Sequence, residues 1–139
     1  MASSEVRSRG VHAVIPYLIV RDAARAITFL QAAFGAIEVS RLDADQGRIG
    51  HAELRIGGGT LFLADEFPDF ESIVGPESLG GTSVIIDLEV ADVEGTYQRA
   101  IAAGVKSVRA PNPDETGVRS AKVLDPFGHV WLITAAADD

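Results

Sequence analysis

The chain contains no cysteine. That excludes a disulfide scaffold, a thiol nucleophile and any Cys-ligated zinc. No apolar run approaches the roughly 20 residues that a membrane-spanning helix needs. The opening MASSEVRSRG carries two Arg and no apolar core segment. Residues 1–10 therefore read as a flexible polar tail and not as a secretion signal, and the expected compartment is the cytoplasm. Basic residues are also scarce: 12 Lys and Arg stand against 20 Asp and Glu, a net charge of −8. No basic stripe is present, which argues against nucleic acid, since a phosphate backbone is held by clustered Lys and Arg. The acidity serves solubility, or else a preference for cationic ligands.

What is present is enough apolar material, 47% of 139 residues, for one domain with a real core. The chain also repeats itself. VRDAARAITFLQAAFGA (20–36) lies over VADVEGTYQRAIAAGVK (90–106). Asp22 and Asp92 are suited to cap the helix N-termini, because a carboxylate accepts from the first unpaired amides. Ala23, Ile27, Leu30 and Phe34 form one helical stripe, and Val93, Tyr97, Ala100 and Ile101 form the other. Gly35 and Gly104 stop the helices. A β-type run precedes each helix, and a strand and a hairpin follow it. The first hairpin turns at GGG (57–59) and the second at DPFG (125–128). Each half thus reads β-α-β-β-β. The expected division is a tail over 1–10, a first module over 11–66, a linker over 67–81 and a second module over 82–135.

PYLIVRDAARAITFLQAAFGA, GHAELRIGG and LDPFGHVWLIT together resemble the vicinal oxygen chelate superfamily, which includes glyoxalase I, bleomycin-resistance proteins and extradiol dioxygenases. The resemblance is greatest to small bacterial glyoxalase/bleomycin-resistance-like proteins, and it covers roughly residues 12–134. It implies an α+β fold of two tandem βαβββ modules, whose curled mixed sheets surround a cavity. It also implies a homodimer with the pocket at or near the subunit interface. Metal-using members place His, Glu or Gln on four strands. Those places fall here on Ile15, Leu63, Ser83 and Leu132, none of them a useful ligand for a divalent cation. We therefore expect no metal, no cofactor and no catalytic residue of the usual kind. His129 belongs to the shared turn motif, and its expected task is to brace the hairpin.

Strand alternation sorts the faces. Ala52, Leu54 and Ile56 point to the helices, as do Trp131 and Ile133. The cavity side is expected to carry an apolar set of Ile15, Tyr17, Leu61, Leu63, Ile85 and Leu132. Its polar set is His51, Glu53, Ser83, Asp87 and Glu89. Phe67 and Phe70, on the linker, are expected to cover a pocket. The candidate ligand-binding residues are therefore Tyr17, His51, Glu53, Leu63, Phe67, Phe70, Ser83, Asp87, Glu89 and Leu132. Apolar walls with a few fixed polar groups suit a small organic molecule. The competing view makes the polar residues structural, for instance Arg55 paired with Glu53 or Asp87. Arg119 would pair with Asp114 or Glu115, or reach the pocket mouth.

Two functions follow. The first is a metal-independent homodimeric binder of the bleomycin-resistance type, sequestering a small, partly aromatic ligand such as an antibiotic-like natural product. The second is a lyase, isomerase or epimerase using His51 and Glu53 as base and acid, with or without an atypical metal site among His51, Glu53, Asp87 and Glu89.

Overall fold

Asp22 and Asp92 begin the two long helices, as their side chains suggest. Asp22 accepts from the Arg25 amide at 3.2 Å, and Asp92 from the Gly95 amide at 3.0 Å. Gly35 and Gly104 end them in the left-handed conformation. The structure is a computed structural model, and it describes residues 9–137. Most of the expected tail over 1–10 lies outside the described residues.

The first half contains β1 (Tyr17–Val20), α1 (Ala23–Phe34), β2 (Ile37–Asp43), β3 (Ile49–Ile56) and β4 (Gly59–Asp65). A short helix α2 (Pro76–Leu79) sits in the linker. The second half contains β5 (Ile85–Val90), α3 (Val93–Ala103), β6 (Lys106–Pro113), β7 (Arg119–Leu124) and β8 (Val130–Ala135). The sheets have the same order, β1-β4-β3-β2 and β5-β8-β7-β6. In each, the strand before the helix pairs in parallel with the last strand of its own half, and the other pairs are antiparallel. These are the two tandem βαβββ modules, α+β in class, and neither sheet closes into a barrel.

One core serves both halves. It joins Leu18, Val20, Leu54 and Leu63 of the first sheet to Val123, Trp131 and Ile133 of the second, with α1 and α3 among them. Small residues on the helices, Ala23, Ala26, Ala33 and Ala100, are completely or almost completely buried and let α1 and α3 pack together. Phe34 of α1 lies 4.8 Å from the Trp131 ring of β8, so the first helix reaches the second sheet.

Leu61 and Leu63 correct the expected face. Alternation from the sequence turns them toward a cavity, yet Leu63 is 0% exposed and both belong to the core. The reason is the register through the glycine turn. Ile56 pairs with Gly59, which puts Leu61 opposite Leu54 and Leu63 opposite Ala52. Directly opposed residues share a face, and a shift of one position reverses it. Phe62 occupies the outer face instead.

The second hairpin is organised by a buried carboxylate. One oxygen of Asp125 accepts from the main-chain amides of Phe127 and His129, at 2.9 and 3.0 Å. The other accepts from the Trp131 indole at 2.8 Å. His129 Nε2 lies 3.1 Å from the carbonyl of Ile19, so the turn braces β1 as well as itself. Replacing Asp125 by Ala leaves buried donors without acceptors, and should cost about 2–4 kcal/mol. Urea unfolding followed by the emission of the single tryptophan measures this directly. Asp125→Asn, which keeps one acceptor oxygen, should lose less.

Candidate functional site

With their inner faces committed to one core, both sheets turn an outer face away from it. On the first, Tyr17 stands opposite Phe62, and Phe62 stands opposite Glu53. The Tyr17 hydroxyl is 2.8 Å from His51 Nδ1. The Tyr17 and Phe62 rings meet edge to face at 5.6 Å, and His51 and Phe62 at 4.7 Å. Three rings thus form a patch in which Tyr17 is still 47% exposed. Partial burial pushes the Tyr17 phenol up from its ordinary value, which keeps it protonated and able to donate.

The linker borders this patch. A cavity of about 410 Å³ lies between Tyr17, Ile19 and Ala64 on one side and Phe67, Ile73 and Val74 on the other. The Arg48 guanidinium lies 4.3 Å above the Phe67 ring, and the Phe67 amide donates to Ile73 at 2.8 Å. Phe67 is therefore a fixed wall. Phe70 is 64% exposed and does not line this cavity. The loop is pinned at its base by Glu66, whose side chain is only 14% exposed. Its carboxylate accepts from the Gly75 amide at 2.7 Å and the Ser78 hydroxyl at 2.5 Å. Arg21 lies 3.7 Å away.

The outer face of the second sheet carries Ile85, Asp87 and Glu89 on β5, opposite Val130, Leu132 and Thr134 on β8. Lys122 stands on the other side of Leu132. Thr134 donates to Asp87 at 2.7 Å. Ser83 precedes β5, is exposed, and borders an adjoining hollow of about 490 Å³ along the edge of β1, which Tyr17 and Ile19 line as well.

The structure therefore brings Tyr17, His51 and Glu53 together with Phe62 and, at the margin, Phe67. It brings Asp87, Glu89 and Leu132 together elsewhere. Within one chain these are two surfaces. Phe62 is the residue that sequence reasoning missed; carrying the strand register across the two-residue glycine turn would have found it.

Two pairings also differ from expectation. Arg55 makes no ion pair among the described residues. Arg119 pairs with Glu94 of α3. Asp114 instead receives the amides of Thr116 and Val118, closing its own loop.

Residues 10–133 match the model of the Glyoxalase/Bleomycin resistance protein/Dioxygenase superfamily. The chain belongs to this superfamily. It is 45% identical over 123 residues to the uncharacterized protein Mb0911c of Mycobacterium bovis, covering 87% of this chain and 81% of that one. Among solved structures it is similar to TioX from Micromonospora sp. ML1, at 29% identity and TM-score 0.72, covering 91% of this chain and all of that one. The At5g48480 product of Arabidopsis thaliana is similar too, at 27% identity and TM-score 0.73, covering 89% of this chain and 98% of that one. The fosfomycin resistance protein FosX from Mesorhizobium loti shares the fold, at 18% identity and TM-score 0.65.

Metal-using members of such a superfamily need several nitrogen or oxygen donors converging on one point. The positions where the resemblance places them hold Ile15, Ser83, Leu132 and Leu63, with Phe62 as the outward neighbour of the last. That donor set does not fit a divalent cation. Among the described residues, no three His, Asp or Glu gather as a metal site would require. No helix among them is long and apolar enough to cross a membrane.

Glu66 carries a pH test. Burial alone would raise its carboxyl, but the Ser78 hydroxyl, the Gly75 amide and Arg21 together hold it below the usual carboxylate range. A depressed folded pKa contributes stability that is present above the unfolded value and lost as pH falls through the folded one. Glu66→Gln should therefore be less stable than the parent at pH 7. The two stability curves should converge as pH is lowered below the ordinary Glu range, as thermal unfolding over pH 3–7 would record.

Proposed function

We propose that this protein is a metal-independent, homodimeric binding protein of the bleomycin-resistance type. It sequesters a small, partly aromatic organic molecule in the cytoplasm by mass action, without turnover. The observation that carries this reading is the three-ring patch of exposed Tyr17 and half-buried His51 and Phe62. Such a patch offers faces and edges on which a planar ligand stacks. The acidic outer face of the other sheet supplies the complement. A second copy that set the Tyr17 face of one chain against the Asp87 and Glu89 face of its partner would enclose a site with aromatic walls and a negative floor. Leu132 and Ser83 would border it, and Phe67 and Phe70 would close it from the linker. Leu63, in the core, acts only by supporting Phe62. The superfamily's own description includes bleomycin resistance, and so an antibiotic-like natural product is the ligand class to test first.

One observation favours a second reading. The contact between Tyr17 and His51 places a proton-transfer pair on the same face as Glu53, which suits an isomerase, epimerase or lyase acting beside a carbonyl. Elemental analysis separates one form of it. Near-stoichiometric metal in dialysed protein would turn the reading to an enzyme with an unconventional site.

The binding reading predicts a pattern across two probes. N-methylquinolinium and neutral 2-methylquinoline, titrated by calorimetry, should both lose about fivefold or more in affinity on Phe62→Ala. Asp87→Asn should weaken the cation several-fold and leave the neutral probe unchanged. Sedimentation should show a dimer. A monomer that binds neither probe would end the proposal.

A further inference from the structure

The two halves match position for position from the first strand into the helix, so a contact made there in one half has a counterpart in the other. Val20 and Asp22 correspond to Val90 and Asp92. By the same count Ile19 corresponds to Glu89, Ala26 to Thr96 and Phe29 to Arg99. The β7–β8 turn corresponds to the β3–β4 turn.

In one of these two places the groove beside the edge strand is filled. The long β7–β8 turn sends Phe127 between the halves. Its ring lies 6.1 Å from that of Phe29, and the Arg25 guanidinium lies 5.2 Å above it. His129 Nε2 then reaches the Ile19 carbonyl at 3.1 Å. That carbonyl is on the free edge of β1, because Pro16, and hence Leu18 by alternation, turns toward β4. The filled groove thus holds an aromatic ring and an N–H donor.

In the other place the turn is Gly57 and Gly58, with Gly59 beginning β4. It has no side chain to send. A cavity of about 620 Å³ remains there, bordered by Gly58, Phe34, Glu89, Thr96 and Arg99. Its wall is built. Thr96 is only 5% exposed and receives a hydrogen bond at 3.2 Å from Arg99, the residue that corresponds to Phe29 of the other half. Val90 turns toward β8, accepting from Ala136, so the main-chain groups of Glu89 face the free edge of β5.

We propose that this inter-module groove is a second binding site, for a planar aromatic or heteroaromatic group bearing an N–H donor. The ring lies on the Arg99 guanidinium with its edge toward Phe34, and the N–H bonds the Glu89 carbonyl. The ligand supplies what Phe127 and His129 supply in the other half. This site uses none of the Tyr17, His51 and Phe62 patch and does not rest on the function proposed above, although Asp87 and Glu89, which border it, also belong to the acidic outer face.

Benzimidazole has both features and serves as the probe. Titration of the full chain, followed by amide and Arg Nε signals in NMR, should shift Gly57, Gly58, Gly59 and Arg99 saturably. A Cβ at Gly58 meets nothing within 4 Å, and its φ lies outside the left-handed region. Gly58→Trp should fill the groove from within and abolish those shifts, whereas Gly58→Ala should bind as the parent does. Arg99→Leu should weaken binding by about threefold or more. The proposal is overturned if no shift appears at Gly57–Gly59 up to the solubility of the probe, which includes the case in which a second copy of the chain fills the groove. It is equally overturned if the shifts fall only on Tyr17, His51 and Phe62, or if Gly58→Ala and Arg99→Leu change binding in the reverse order.

Discussion

Burial of both inner sheet faces in one core is the constraint on which the rest depends. Buried residues of both sheets and both long helices belong to a single cluster. The two halves therefore share Trp131, Phe34, Ile27, Leu30, Leu54 and Ile133. Because these residues are packed from both directions, the outer faces are left to other work. The aromatic patch and the acidic strand are exposed as a consequence of where the core lies.

That arrangement also explains why polar residues recur where they do. Asp125 is buried because three donors need it, two of them main-chain amides of a turn and the third an indole that must be inside. Glu66 serves the linker in the same manner. Neither carboxylate faces the candidate site. Glu53 stands on the same sheet face as Phe62, and Asp87 and Glu89 stand on the outer face of the other sheet, with Leu132 opposite Asp87 and Lys122 on the far side of Leu132.

Much of the fold was legible in the chain. The doubled Val-x-Asp, the two helical stripes and the two stop glycines marked one helix per half, and the flanking β-type runs and hairpin turns marked the strands, because those signals are local. The superfamily was legible from the same stretches. The faces were legible wherever a strand could be counted from a polar residue, as with His51, Glu53 and Asp87. They failed at Leu61 and Leu63, since both faces of β4 are apolar there and alternation has no contrast to read. The separation of Tyr17 from Asp87 was not legible either. It depends on how α1 and α3 meet, a contact between helices made of alanines that carry no directional signal. Arg119 chose Glu94 over nearer acids for a similar reason: sequence distance says little once a helix lies across a sheet.

The order of strands has a consequence for biosynthesis. β8 is the last strand in chain order, but it lies inside its sheet, between β5 and β7. His129, just before it, secures a strand made more than a hundred residues earlier. While the chain is being translated, β5 has no neighbour and Phe34 has no tryptophan to pack against. The second sheet cannot assemble until the DPFGHVWLIT segment has left the ribosome. Long-range pairing of this kind is slow and leaves apolar surface bare in the interval. Nascent chains stalled before residue 124 should for that reason be clients of the cell's chaperones, and release of the final hairpin is the event that ends their exposure.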